Sequence, residues 1–63
     1  MKAKVIKKAY LQDLENPKIC YIVEGTIVDV IGEKIDNNNI VVRDKGYNHV
    51  IKYDCLEMLK EEN

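Results

Sequence analysis

The chain has 63 residues, 46% hydrophobic and 33% charged, and its ten basic and eleven acidic side chains leave a formal charge of -1. That composition is globular rather than disordered, the length allows one domain over residues 1–63 with no room for a deep catalytic cleft, and the charge balance excludes the global field of a strongly basic nucleic-acid binder. No apolar run approaches the ~20 residues of a membrane span, and Lys4 to Lys8 lacks the apolar core of a signal peptide. The expectation is therefore a cytoplasmic protein with no membrane partner. Cys20 and Cys55 form no CxxC pair and read as two reduced, buried thiols.

From Ala3 to Leu11 the side chains alternate well enough for a first strand. Val5, Ile6, Ala9, Tyr10 and Leu14 also fall at helical spacing as far as Asn16-Pro17, so residues 3–14 admit both readings, with the strand preferred. Gln12 to Lys18 is a polar, proline-containing loop. Ile19 to Val23 is a short apolar run, and Gly25 marks a bend. Thr26 to Ile31, rich in β-branched residues, is the clearest strand, with Thr26, Val28 and Val30 on one face and Ile27, Asp29 and Ile31 on the other. Gly32 is read as its end, and Glu33 to Asn38 as an asparagine-rich loop.

Asn39 to Arg43 and Asn48 to Tyr53 then form a hairpin through Asp44-Lys45-Gly46-Tyr47, with Gly46 taking a positive φ. Pairing Asp44 with Tyr47 sets Val42 against His49 and Ile40 against Ile51, gathering apolar residues on one face. A slip of one residue would set Val42 against Asn48. The other face pairs Val41 with Val50 between Arg43, Asn48, Asn39 and Lys52. Asp54 is expected to cap a short 3-10 or helical turn carrying Cys55, Leu56 and Leu59, and Lys60 to Asn63 to fray. The predicted core is Val5, Ile22, Val28, Val30, Ile40, Val42, Ile51, Tyr53 and Leu56.

The order of a first strand, a long loop, a strand ending "EGTIVDVIG", the hairpin "IVVRDKGYNHVIKY" and the closing "DCLEML" resembles the small SH3-like β-barrels of the Tudor and KOW type, including short bacterial and prophage proteins. The resemblance covers most of the chain and rests on topology and apolar pattern. It implies an all-β barrel of about five antiparallel strands that binds rather than catalyses. Against the KOW pattern, Gly32 is followed by Glu33-Lys34-Ile35-Asp36 rather than a basic loop. Against the Tudor pattern, Tyr10, Tyr21, Tyr47 and Tyr53 are the only rings from which an aromatic cage could be built. The proline-peptide groove of signalling SH3 domains needs tryptophan, which is absent.

The chemistry-bearing residues give little support to an enzyme. There is no serine and only one threonine, Thr26, which removes Ser-based acyl transfer. No glycine-rich phosphate loop is present, and no cofactor or small-molecule substrate is implied. His49 with Cys20 and Cys55 fits no metal-ligand spacing and reads as a partly buried structural histidine. Asp29, Glu33 and Asp36 read as solvated loop acids.

Two binding surfaces remain. Val41, Arg43 and Val50 form a candidate protein-interaction or self-association face, since a short chain gains stability by association. Lys4, Lys8, Tyr10 and Arg43 form the alternative, a nucleic-acid contact built on the basic first strand. The bland reading of those lysines is pairing with Asp54 and Glu57 and protection of a strand edge.

Overall fold

The computed structural model describes residues 1–60; residues 61–63, most of the expected frayed tail, and the side chain of Glu33 lie outside the described residues. The strands are β1 (Lys2–Val5), β2 (Ala9–Tyr10), β3 (Tyr21–Ile22), β4 (Ile27–Lys34), β5 (Asn39–Asp44), β6 (Tyr47–Lys52) and β7 (Leu56–Met58), with a 3-10 turn at Tyr53–Cys55. Five of them form one antiparallel sheet in the order β6-β5-β4-β1-β7, and β2 pairs with β3 in a separate ribbon. The expected all-β architecture and five-stranded antiparallel sheet are present. Among the described residues no ladder joins β6 to β7, so the sheet itself is open rather than closed into a barrel.

The ribbon covers the sheet's inner face. Alternation sends Ala3, Val5, Val28, Val30, Ile40, Val42, Ile51 and Leu56 inward from the sheet, and Ala9, Leu11 and Ile22 meet them from the ribbon and its continuation. Cys55 joins them from the 3-10 turn, and Tyr53, expected in the core, packs against it half-buried. Ala3, Ala9 and Leu11 are core positions that the sequence reading omits, while Cys55 is buried as expected. Cys20 corrects the expectation of two buried thiols: it is exposed.

The first strand is shorter than its alternation suggests. Extended pairing stops after Val5, where Ile6 N–H donates to Cys55 O at 2.8 Å, and resumes at Ala9 opposite Ile22. The chain turns between these points to pass from sheet to ribbon, and the helical reading of residues 3–14 is not realised. Gly32 does not end β4. It adopts a φ of 71°, and the ladder shifts from Val30 opposite Val42 to Lys34 opposite Ile40, four steps on β4 against two on β5. A glycine accommodates such a bulge because it has no Cβ to oppose the left-handed backbone.

The hairpin has the predicted register, Asp44 opposite Tyr47, Val42 opposite His49 and Ile40 opposite Ile51. Its two central residues, Lys45 at φ 53° and Gly46 at φ 85°, both take positive φ, as a two-residue turn matched to strand twist requires. Asp54 lies in the first turn of the 3-10 segment, which has no side-chain cap. Leu56 leaves that turn extended, its N–H donating to Tyr53 O, and pairs with Val5. The closing segment is thus an edge strand rather than a longer helical turn.

Ile51 is fully buried between the ribbon and β5. Ile51→Ala is expected to cost about 2–5 kcal/mol, most of the roughly 3–9 kcal/mol that a domain of this size possesses. Urea denaturation should show it largely unfolded without denaturant; a near-native midpoint would refute this account of the core.

Candidate interaction surfaces

The outer face of the sheet carries the first predicted set. Val41 and Val50 stand opposite one another on β5 and β6 and are each half-buried. Arg43 is exposed and donates from Nε to Asn48 Oδ1 at 2.9 Å. Asp29, beside Arg43 in the ladder, accepts from Lys2 Nζ at 2.7 Å, so one polar row crosses β6, β5, β4 and β1. That bond from Lys2 holds the Asp29 carboxyl below its ordinary value. The valines are therefore a small apolar centre beside a row in which Lys2 pairs with Asp29 and Arg43 bonds the neutral amide of Asn48.

The predicted nucleic-acid set is divided. Lys4 lies on β1 between Ile27 and Glu57, Arg43 on β5 in the row just described, and Lys8 and Tyr10 at the ribbon. Of the acids expected to pair with the lysines, Asp54 accepts from Lys7 Nζ at 3.3 Å, next to the set, and Glu57 stands opposite Lys4 in the ladder; the expected protection of a strand edge is not found, because β1 lies inside the sheet between β4 and β7.

At the ribbon, Ala9 and Ile22 point into the core, so Tyr10 and Tyr21, opposite one another, point out. Their ring centroids are 6.0 Å apart with planes at 66°, an edge-to-face contact. Lys8 Nζ lies 4.4 Å from the Tyr21 centroid and 6.0 Å from that of Tyr10, where the negative ring faces attract a cation. Tyr10 is 37% and Tyr21 44% exposed, and Val23 and Ile19 are 58% and 68% exposed. In the sequence Tyr21 is only one of four rings open to a cage, and Ile19 and Val23 only bound an apolar run. The missed signal was Tyr21 preceding the core residue Ile22, which marks an outward tyrosine only once Ile22 is known to face inward.

A third cluster ties the long loop to β6. Gln12 N–H donates to Val50 O at 2.7 Å, and Val50 N–H donates to Asp13 Oδ1 at 3.2 Å. Asp13 Oδ2 lies 3.2 Å from His49 Nδ1. A carboxylate only accepts, so the ring nitrogen facing it carries the proton. Burial raises the Asp13 carboxyl, but the bonds from His49 and Val50 outweigh it and hold the group below its ordinary value. His49 is partly buried, as expected, and ties β6 to the long loop through Asp13. Among the described residues no group of three His, Cys, Asp or Glu side chains is placed to hold a metal ion. Burial raises the Cys55 thiol and leaves it a poor nucleophile.

In the β4–β5 loop Asp36 Oδ1 accepts from the N–H groups of Asn38 and Asn39 at 2.7 and 2.9 Å, which lowers its carboxyl too. This is a turn built by a side chain mimicking backbone.

No protein-family model, curated protein or solved structure matches the chain.

Asp13, Asp29 and Asp36 all have depressed folded values. Their stabilisation is present above the unfolded carboxyl value of about 3.9 and is lost as pH falls through the lower folded ones. The melting temperature should hold at neutral pH and fall between about pH 4 and pH 2. Asp13→Asn should melt lower at neutral pH and lose less on acidification; an acid profile identical to the parent's would show that Asp13 is not a contributor.

Proposed function

We propose that this chain is a non-enzymatic protein-interaction module of SH3-like barrel architecture, and that its docking surface is the outer face of the β2–β3 ribbon. The strand order β6-β5-β4-β1-β7, with a 3-10 turn before the last strand, supports the architecture. So does the ribbon that folds back over the inner face. The observation that carries the function is the exposed Tyr10–Tyr21 pair, in a segment whose flanking Ile19 and Val23 are exposed as well. Tyrosines of this kind are rigid amphipathic anchors that dominate binding energy at interfaces. The ribbon is preferred to Val41, Arg43 and Val50 because its rings are held in place yet open to solvent, whereas the valines are already half-covered.

Nucleic-acid binding is a second reading, favoured by one feature: Lys8 beside two exposed tyrosines is suited to a phosphate next to a stacked base.

The readings separate by salt and by substitution. A partner retained by the immobilised protein at high salt, and weakened about 30-fold by Tyr21→Ala as loss of a roughly 2 kcal/mol anchor implies, supports the ribbon. Partner binding unchanged by Tyr21→Ala and lost on Val41→Glu would move the site to the sheet face. Binding of a labelled single-stranded oligonucleotide that falls steeply with salt would favour the second reading.

A further inference from the structure

β6 is an edge strand, and the middle of its edge is occupied. Val50 N–H and C=O both bond to the Gln12–Asp13 segment, so they face away from β5. In an antiparallel ladder successive residues alternate between facing the neighbour and facing away. The backbone groups of Asn48 and Lys52 therefore face the same open side, one on each flank of the plug. A further strand cannot lie along β6 while Gln12 and the Asp13 carboxylate hold its central residue.

That edge is self-complementary. An antiparallel pairing of two β6 strands about a twofold axis at Val50 sets Val50 against Val50, Asn48 against Lys52 and His49 against Ile51. No like charges stand opposite one another, and the β-branched residue is at the centre. The strand has high β propensity and carries one formal charge, Lys52, so little besides the plug discourages pairing.

The opposite edge differs. Leu59 N–H donates to Lys2 O and Ile6 N–H to Cys55 O, which by the same alternation turns the backbone of Leu56 and Met58 outward. The corresponding twofold pairing of β7 would set Glu57 directly against Glu57, an unfavourable opposition.

We propose that β6 is a dimerisation edge for a second copy of this chain, kept closed by the Gln12–Asp13 segment, and that freeing this segment lets two copies pair β6 to β6. The occupant is a second copy because the register about Val50 satisfies both strands at once. The proposal does not depend on what the ribbon binds.

The test uses the full chain with Asp13→Ala, and Asp13→Leu, which keeps the side-chain bulk but has no atom able to accept from Val50 N–H, should alanine prevent folding. Sedimentation across a concentration series and amide exchange at dilution give the readouts. At dilution the Val50 amide should exchange roughly tenfold faster or more, as loss of a hydrogen bond to a charged group implies, with the Ile51 and Val42 amides little changed. At high concentration the variant should form a dimer in which Val50 regains protection, while the parent stays monomeric. Adding Val50→Lys, which sets lysine against lysine at the axis, should abolish the dimer without restoring the plug. A folded variant that remains monomeric at every concentration overturns the proposal, as does a dimer indifferent to Val50→Lys.

Discussion

The contact on which the rest of the structure depends is the packing of the β2–β3 ribbon over the inner face of the five-stranded sheet. A lone sheet buries one face only if something covers it, and Ala9, Leu11 and Ile22 are the cover. Two of these three are within three residues of one another on β2 and its continuation, so the ribbon must lie close and flat. Its other side then has no choice but to face water. The exposed tyrosine pair is thus a consequence of the same alternation that builds the core, and the bonds from Gln12 and Asp13 to β6 arise where the chain leaves the ribbon.

What the sequence made legible follows the range of the interactions involved. The β5–β6 hairpin could be read to its register because a two-residue turn constrains it locally and only one register gathers Ile40, Val42 and Ile51 on a single face. The predicted core was largely correct for the same reason. Its omissions, Ala3, Ala9 and Leu11, lie in the segment where a strand bends from one sheet to another. Alanine's small side chain gives a weak apolar signal there, yet these positions admit close approach and are buried.

Long-range choices were not legible. Gly32 looks like a strand terminus, and only the partner strand shows that β4 absorbs it as a bulge and runs on. β7 looks like a capped turn because Asp54 precedes apolar residues. Its strand character comes from β1, at the far end of the chain. The division of Lys4, Lys8, Tyr10 and Arg43 among three elements is of the same kind. So is the role of Asp13, an unremarkable loop acid until the loop's path brings it to His49 and Val50. Exposed ion pairs such as Lys2 with Asp29 and Lys7 with Asp54 contribute little stability, and they too join residues far apart in the chain.

The proposed docking face and the proposed plug share a short stretch of chain, since only Leu11 separates Tyr10 from Gln12. Leu11 is buried and its N–H donates to Cys20 O at 3.0 Å, so it anchors one side of that stretch to the ribbon while Val50 anchors the other. A ligand on the tyrosines acts on the β6 edge only through a difference in its affinity for the plugged and released forms. If it holds Tyr10 in the position that keeps Gln12 against Val50, it favours the monomer; if its best contacts need Gln12 turned away, it favours the pair. The coupling is reciprocal, so dimerisation must alter affinity at the tyrosines by the same factor. A ribbon ligand that binds the parent and Asp13→Ala equally would therefore place the two surfaces in one small fold without energetic connection between them.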